Sequence, residues 1–118
     1  MATPFTYVSD PLQTHTWNSN KSKIALSPNN SEVHVYDAKT GQLEHLLTEH
    51  TQRVNGVDWA KSDKIVTCGS DRNAFVWDLV DGKWKPSLVA LRVNRAATFC
   101  RWSPTGLTVL CLIFSVIN

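Results

Sequence analysis

The sequence predicts an all-β chain built from repeated sheet units, and three observations carry that prediction. Trp17, Trp59 and Trp102 open similar segments 42 and 43 residues apart, a period that reads as the blades of a propeller. Runs of β-branched and aromatic residues alternate with turn formers, and no segment sustains a helical period. The connections Ser27-Pro28-Asn29-Asn30, Asp37-Ala38-Lys39-Thr40-Gly41, Gly69-Ser70-Asp71-Arg72-Asn73 and Asp81-Gly82-Lys83 are rich in the residues that tight antiparallel turns require.

The period divides the chain into four parts. Residues 1–14 form an N-terminal segment with a candidate strand at Phe5–Val8, able to close a ring. Residues 15–48 form a first, degenerate blade with strands expected at His15–Trp17, Lys23–Leu26, Val33–Tyr36 and Leu43–Leu47. Residues 49–96 form the best-developed blade, with strands at Val54–Trp59, Ile65–Thr67, Ala74–Trp77 and Leu88–Leu91. Its wording resembles a WD repeat: Glu49-His50 near the start, Gly69-Ser70-Asp71 at a turn, and Trp77-Asp78 at the end of the third strand. Glu49 stands where glycine is usual. In the first blade Tyr36-Asp37 takes the place of Trp77-Asp78, and Asn30 that of Asp71. Residues 97–118 begin a third blade at Thr98–Trp102 and run into an uncharged tail, Leu107 to Asn118. That tail is too short to span a membrane as a helix and reads as exposed, aggregation-prone edge, or as the second strand of the third blade. Propellers close with about four to eight blades, so two blades and part of a third read as a piece of a larger ring.

Composition narrows the function classes. With 42% hydrophobic and 19% charged residues the chain is of ordinary globular type, and its net charge is +2. The charge is uneven: residues 81–101 carry Lys83, Lys85, Arg92, Arg95 and Arg101 against Asp81, whereas residues 1–80 have seven bases and nine acids. A basic stretch of this kind faces an acidic protein surface or nucleic acid, or else supplies guard charges on a strand edge. Trp84 between Lys83 and Lys85 either stacks on a base or peptide or packs the outer strand beneath solvated lysines. Three cysteines without Cys-x-x-Cys spacing indicate reduced thiols, with no disulfide framework or zinc site. The start Met-Ala-Thr-Pro has no basic region followed by an apolar run, so no signal peptide is expected, and Asn20-Lys21-Ser22 and Asn29-Asn30-Ser31 read as chance glycosylation matches. The five glycines are scattered singly, which gives no phosphate loop, and His15, His34 and His45 lack partners at metal-ligand spacing. No cofactor, metal or membrane is expected.

One constellation has the groups of a nucleophilic triad: Thr67, His50 and Asp71. Thr67 lies four residues before the turn aspartate and Trp77 six after it, the offsets of a structural hydrogen-bond chain within a WD blade. The expected order runs from the Trp77 indole N–H through Thr67 and His50 to Asp71, locking the turn. A hydrolase built on the same three groups is the competing reading, and burial of Thr67 decides against it.

Three stretches are more specific than Trp-Asp: Pro28 to Tyr36, Ile65 to Trp77, and Trp84-Lys85-Pro86-Ser87-Leu88-Val89 with Leu91-Arg92-Val93-Asn94-Arg95-Ala96-Ala97. They resemble the WD-repeat subunit family of the actin-related protein 2/3 complex, from about Asp10 to Pro104. The resemblance implies a seven-bladed, non-catalytic scaffold, cytoplasmic and cytoskeleton-associated, within the complex that nucleates branched actin filaments. Its partners would be the other subunits, the actin filament and nucleation-promoting factors. It also favours protein contact over nucleic acid for Lys83, Trp84, Lys85, Arg92 and Arg95. The alternatives are a generic WD-repeat adaptor in another assembly and a truncated product that does not assemble.

Overall fold

The computed structural model describes residues 14–28, 30–89, 99–102 and 109–112. Among these residues the chain is all-β: β1 (Thr14–Trp17), β2 (Lys23–Ser27), β3 (Val33–Asp37), β4 (Leu43–Leu47), β5 (Val54–Trp59), β6 (Ile65–Gly69), β7 (Ala74–Val80), β8 (Lys83–Val89), β9 (Phe99–Trp102) and β10 (Val109–Leu112). Strands β1 to β4 form one antiparallel four-stranded meander, β5 to β8 a second, and β9 pairs with β10. The expected strand at Phe5–Val8 lies outside the described residues.

One expectation changes, and one pair of alternatives is decided. The last strand of the second sheet was expected to start at Leu88 and instead starts at Lys83, so the basic Lys83-Trp84-Lys85 stretch is strand. The cause is local. Val80 faces Lys83 across the two-residue loop Asp81-Gly82, whose φ values of 52° and 77° suit the tight hairpin turn that asks for left-handed backbone at both positions. The hairpin therefore resumes pairing at once. In the apolar tail, Val109–Leu112 pairs with β9, Leu112 opposite Phe99 and Val109 opposite Trp102.

The sequence period is also a period of backbone conformation. The β1–β2 turn has Lys21 at φ 58° and its N–H on the Asn18 carbonyl at 3.1 Å. The β5–β6 turn has Asp63 at φ 68° and its N–H on the Ala60 carbonyl at 3.0 Å. Both turns use a non-glycine residue in the left-handed region, which aspartate tolerates better than most residues. The β3–β4 turn is held differently: Asp37 accepts the Lys39 and Thr40 N–H groups at 2.8 and 3.1 Å, and these bonds hold its carboxyl below the usual carboxylate range.

Strand alternation sorts the side chains into layers. Ala25, Val33, Val35 and Leu47 of the first sheet join Val54, Val57, Trp59, Ile65, Phe75 and Trp77 of the second in one buried cluster. Val66, Cys68 and Ala74, on the other face of the second sheet, pack with Cys100 of β9. The second sheet is thus covered on both faces, which is why all five residues of β6 are buried. Ile24, Leu26 and Tyr36 form a third cluster on the opposite face of the first sheet. Sheets stacked face on face in sequence order are the blade arrangement.

Trp59 anchors the joint between the sheets. It is 9% exposed and stands edge to face with Trp84, ring centroids 5.7 Å apart. Both indole N–H groups are buried without a hydrogen-bond acceptor, so the pair is held by buried area and ring packing.

Candidate functional site

The structure brings His50, Thr67, Asp71 and Trp77 together beneath the β6–β7 turn. Trp77 Nε1–H donates to Thr67 Oγ1 at 3.0 Å. Thr67 Oγ1 lies 2.8 Å from His50 Nε2, and His50 Nδ1 lies 3.0 Å from Asp71 Oδ2. Strand alternation puts Thr67 on the same face of its sheet as Phe75 and Trp77, and the Phe75 ring sits edge to face on His50, centroids 4.9 Å apart. The carboxylate also receives the Thr51 N–H at 2.9 Å and the Asn73 N–H at 3.1 Å, so it ties the approach to β5 to the turn before β7.

Burial decides the proton positions. It pushes the His50 imidazole below its ordinary value, against the upward pull of Asp71 and Glu49, so the ring is neutral at pH 7. Burial pushes Asp71 upward, but the Thr51 N–H, the His50 ring and the Asn73 N–H together outweigh it and hold the carboxyl low. An ionised carboxylate only accepts, so the single ring proton sits on Nδ1 and Nε2 is the acceptor. Thr67 then donates to Nε2 and accepts from Trp77, and each group in the string has its partner.

These directions set a pH dependence. The unfolded chain gains a proton on His50 near pH 6.5 while the buried ring refuses it, so stability is expected to fall as pH drops below about 6.5. A second loss is expected below 3.8, where the unfolded Asp71 is protonated and the folded carboxylate is not. Urea midpoints at pH 7 and 5, compared between the parent chain and His50→Gln, measure the first loss. An equal drop in both proteins would assign it to another group.

Three contributors lay outside the expected set. Thr51 and Asn73 act through backbone N–H groups, which any residue type supplies, so sequence carried no signal for Thr51 and only the Asp71-x-Asn73 spacing for the other. Gly69 is required by space: a Cβ there would lie 2.8 Å from His50 Nδ1 and 3.0 Å from Asp71 Oδ1. The Gly-Ser-Asp wording carries the signal, but in the sequence it reads only as a turn.

The first sheet keeps the turn and lacks the string. Asn30 Oδ1 accepts the Glu32 N–H at 2.8 Å, as Asp71 Oδ1 accepts that of Asn73. Leu26 occupies the position of Thr67 and Tyr36 that of Trp77. A different polar row takes over, with the Tyr36 hydroxyl 3.2 Å from His34 Nδ1 and His34 Nε2 3.1 Å from Glu32. Glu32, just ahead of β3, and His34 and Tyr36 within it alternate in sequence, the spacing that puts them on one face.

Thr67 has no exposed surface, so its hydroxyl has no route to a substrate. Among the described residues no cluster of three or more His, Cys, Asp or Glu side chains could hold a metal, and no helix is long and apolar enough to cross a membrane.

The basic residues are placed on the outermost strand of the second sheet. Lys83 and Lys85 are exposed, while Trp84 is half-buried against the shared core, with His45 edge-on at 6.3 Å. Two hollows flank the ring. One of about 330 Å³ is bordered by His45, Leu47, Trp77 and Lys83, the other of about 360 Å³ by Asn18, Lys23, Glu44 and Leu79. Arg92 and Arg95 lie outside the described residues.

With this geometry, a model of the WD domain, G-beta repeat, matches residues 41–78, the stretch that holds the string. Across a longer span the chain is 54% identical over 101 residues to actin-related protein 2/3 complex subunit 1A-A of Xenopus laevis, covering 83% of this chain. The matched span is similar to the family of actin-related protein 2/3 complex subunit 1. The same family name is carried by relatives 45% identical over 100 residues in Arabidopsis thaliana and 44% identical over 98 residues in Schizosaccharomyces pombe. The chain spans about a quarter of the length of these relatives, 27% in the Xenopus laevis protein. Among solved structures it resembles U3-55K (TM-score 0.68, 15% identity, 79% of this chain and 28% of that one). It also resembles the WD40 repeats of RRP9 (TM-score 0.67, 14% identity, 76% of this chain and 27% of that one). At that identity the two structures speak for the propeller fold of this chain and for nothing finer.

Proposed function

We propose that the chain forms the blades at residues 15–48 and 49–96, and the start of another at 97–118, of a non-catalytic scaffold subunit. It serves the cytoplasmic, cytoskeleton-associated actin-related protein 2/3 complex and supports nucleation of branched actin filaments. The observation that carries this reading is the 54% identity to the Xenopus laevis subunit over 101 residues. In this reading residues 1–14 contribute the ring-closing segment. The His50-Thr67-Asp71-Trp77 string works structurally, as a lock that holds the β6–β7 turn to the start of β5. Its burial supports that role, because a buried and fully hydrogen-bonded string stiffens a fold and offers nothing to a ligand.

The outward contact falls to β8. Lys83 and Lys85 project from an edge strand whose one aromatic, Trp84, is anchored in the core, so the charges sit on a rigid support. Arg92 and Arg95 extend the same basic stretch in sequence. The partners proposed are the other subunits of the complex, with the actin filament and nucleation-promoting factors engaged by the assembled subunit.

Expression of the tagged chain in cells, followed by affinity purification and mass spectrometry, tests the reading. Recovery of other subunits of the complex, reduced several-fold by Lys83→Glu with Lys85→Glu, is the expected result. A partner set that omits every subunit of the complex would rule the reading out for this chain.

A further inference from the structure

Strands β1, β5 and β9 are end strands of their sheets, and they lie side by side, β1 against β5 and β5 against β9. An end strand directs alternate N–H groups away from its own sheet, and each such donor needs an acceptor or water. At both junctions the acceptor is a side chain from the preceding sheet, in the same repeat position. The Trp59 N–H donates to Thr16 Oγ1 at 3.2 Å. The Trp102 N–H donates to Asp58 Oδ2 at 2.6 Å. Thr16 and Asp58 each stand immediately before the tryptophan of their own repeat. The row is continuous, because the Thr16 hydroxyl reaches the other Asp58 oxygen at 3.5 Å, and the Trp102 indole N–H donates to the Asp58 carbonyl at 3.1 Å.

We propose that the residue before the repeat tryptophan is a registry residue: its side-chain oxygen takes the backbone N–H of the next repeat's tryptophan and fixes the stagger of one blade on the next. The faces between the sheets cannot do this alone. Apolar contact is non-directional, and faces of Val, Ile and Ala can slide by one residue at small cost in buried area. A hydrogen bond from a backbone N–H permits one register only. Asp58 is the stronger member, since a carboxylate accepting a backbone N–H makes a shorter, charge-assisted bond. Arg101, at the same repeat position on β9, is a donor-only guanidinium and gives its Nη1–H to the Cys100 carbonyl at 2.8 Å. The acceptor series among the described residues therefore spans the two junctions Thr16–Trp59 and Asp58–Trp102.

Hydrogen exchange of single backbone amides in the full 118-residue chain tests the assignment. Asp58→Leu is expected to speed exchange of the Trp102 amide about tenfold or more while leaving the Trp59 amide unchanged. Thr16→Val is expected to act on the Trp59 amide. Asp58→Asn and Thr16→Ser, which keep an oxygen in place, are expected to restore protection. If Asp58→Leu does not fold, Asp58→Ala, which carries no side-chain acceptor, is read in the same way. Equal protection of Trp102 in the parent chain and in the variant lacking the acceptor would overturn the proposal. So would uniform loss at both amides without rescue by the conservative variants.

Discussion

Replacing Asp71 by alanine is expected to lower the stability of the folded chain by about 3 kcal/mol, the sum of a few orphaned buried donors at roughly 1 kcal/mol each. The Asp71 side chain is 3% exposed and accepts from His50 Nδ1, the Thr51 N–H and the Asn73 N–H. Alanine leaves the His50 proton facing a cavity that is closed by Phe75 on one side. Thr51 is exposed and can turn to water, which keeps the loss below the full value of three buried bonds. Asp71→Asn should cost about half as much, since one oxygen still accepts while the new amide hydrogens oppose existing donors. Urea unfolding followed by tryptophan fluorescence measures both variants as a lower midpoint with an unchanged slope. A midpoint unchanged in Asp71→Ala would mean that the string does not carry the turn.

The second large effect is expected at the joint between sheets. Trp59→Ala should destabilise by about 3–5 kcal/mol, the range for a buried aromatic cut to alanine. The indole touches a cluster drawn from both sheets and supports Trp84, so its removal leaves a void that neither sheet can close without moving the other. Trp59→Phe keeps most of the ring and, because the indole N–H has no acceptor to lose, should cost less than half as much. Leu88, 66% exposed on the outer strand, provides the contrast: Leu88→Ala should fall within about 0.5 kcal/mol of the parent. Calorimetric melting of the three variants orders them. Equal losses at Trp59 and Leu88 would show that the first cluster is not a shared core.

The string was legible in the sequence because its members sit at fixed offsets from one turn. Asp71 is recognised by the turn chemistry around it, Thr67 by lying four residues before it, and Trp77 by lying six after it. The lack of room at Gly69 is not legible in the sequence, since the close approach of His50 and Asp71 to its α-carbon is a property of three segments at once. The start of β8 at Lys83 is not legible in the sequence, because Pro86 and two lysines are poor strand formers. Its pairing with β7 from Val80–Lys83 to Ala74–Val89 is imposed by the two-residue turn that precedes it. Pro86 is tolerated there because β8 is the last strand of its sheet, where a missing N–H need not break a ladder.

By itself the sequence determined the all-β class, the repeat, the order of strands within a sheet and the family resemblance. Each of these rests on local signals: alternation with period two, turn residues at set positions, and wording kept over a hundred residues. Only the tertiary structure decided which faces meet, why Gly69 has no room for a side chain, and how Thr16 and Asp58 hold Trp59 and Trp102. Those contacts join strands 42 to 44 residues apart through single oxygens, and an oxygen on the outer side of an end strand looks in the sequence like any solvated residue.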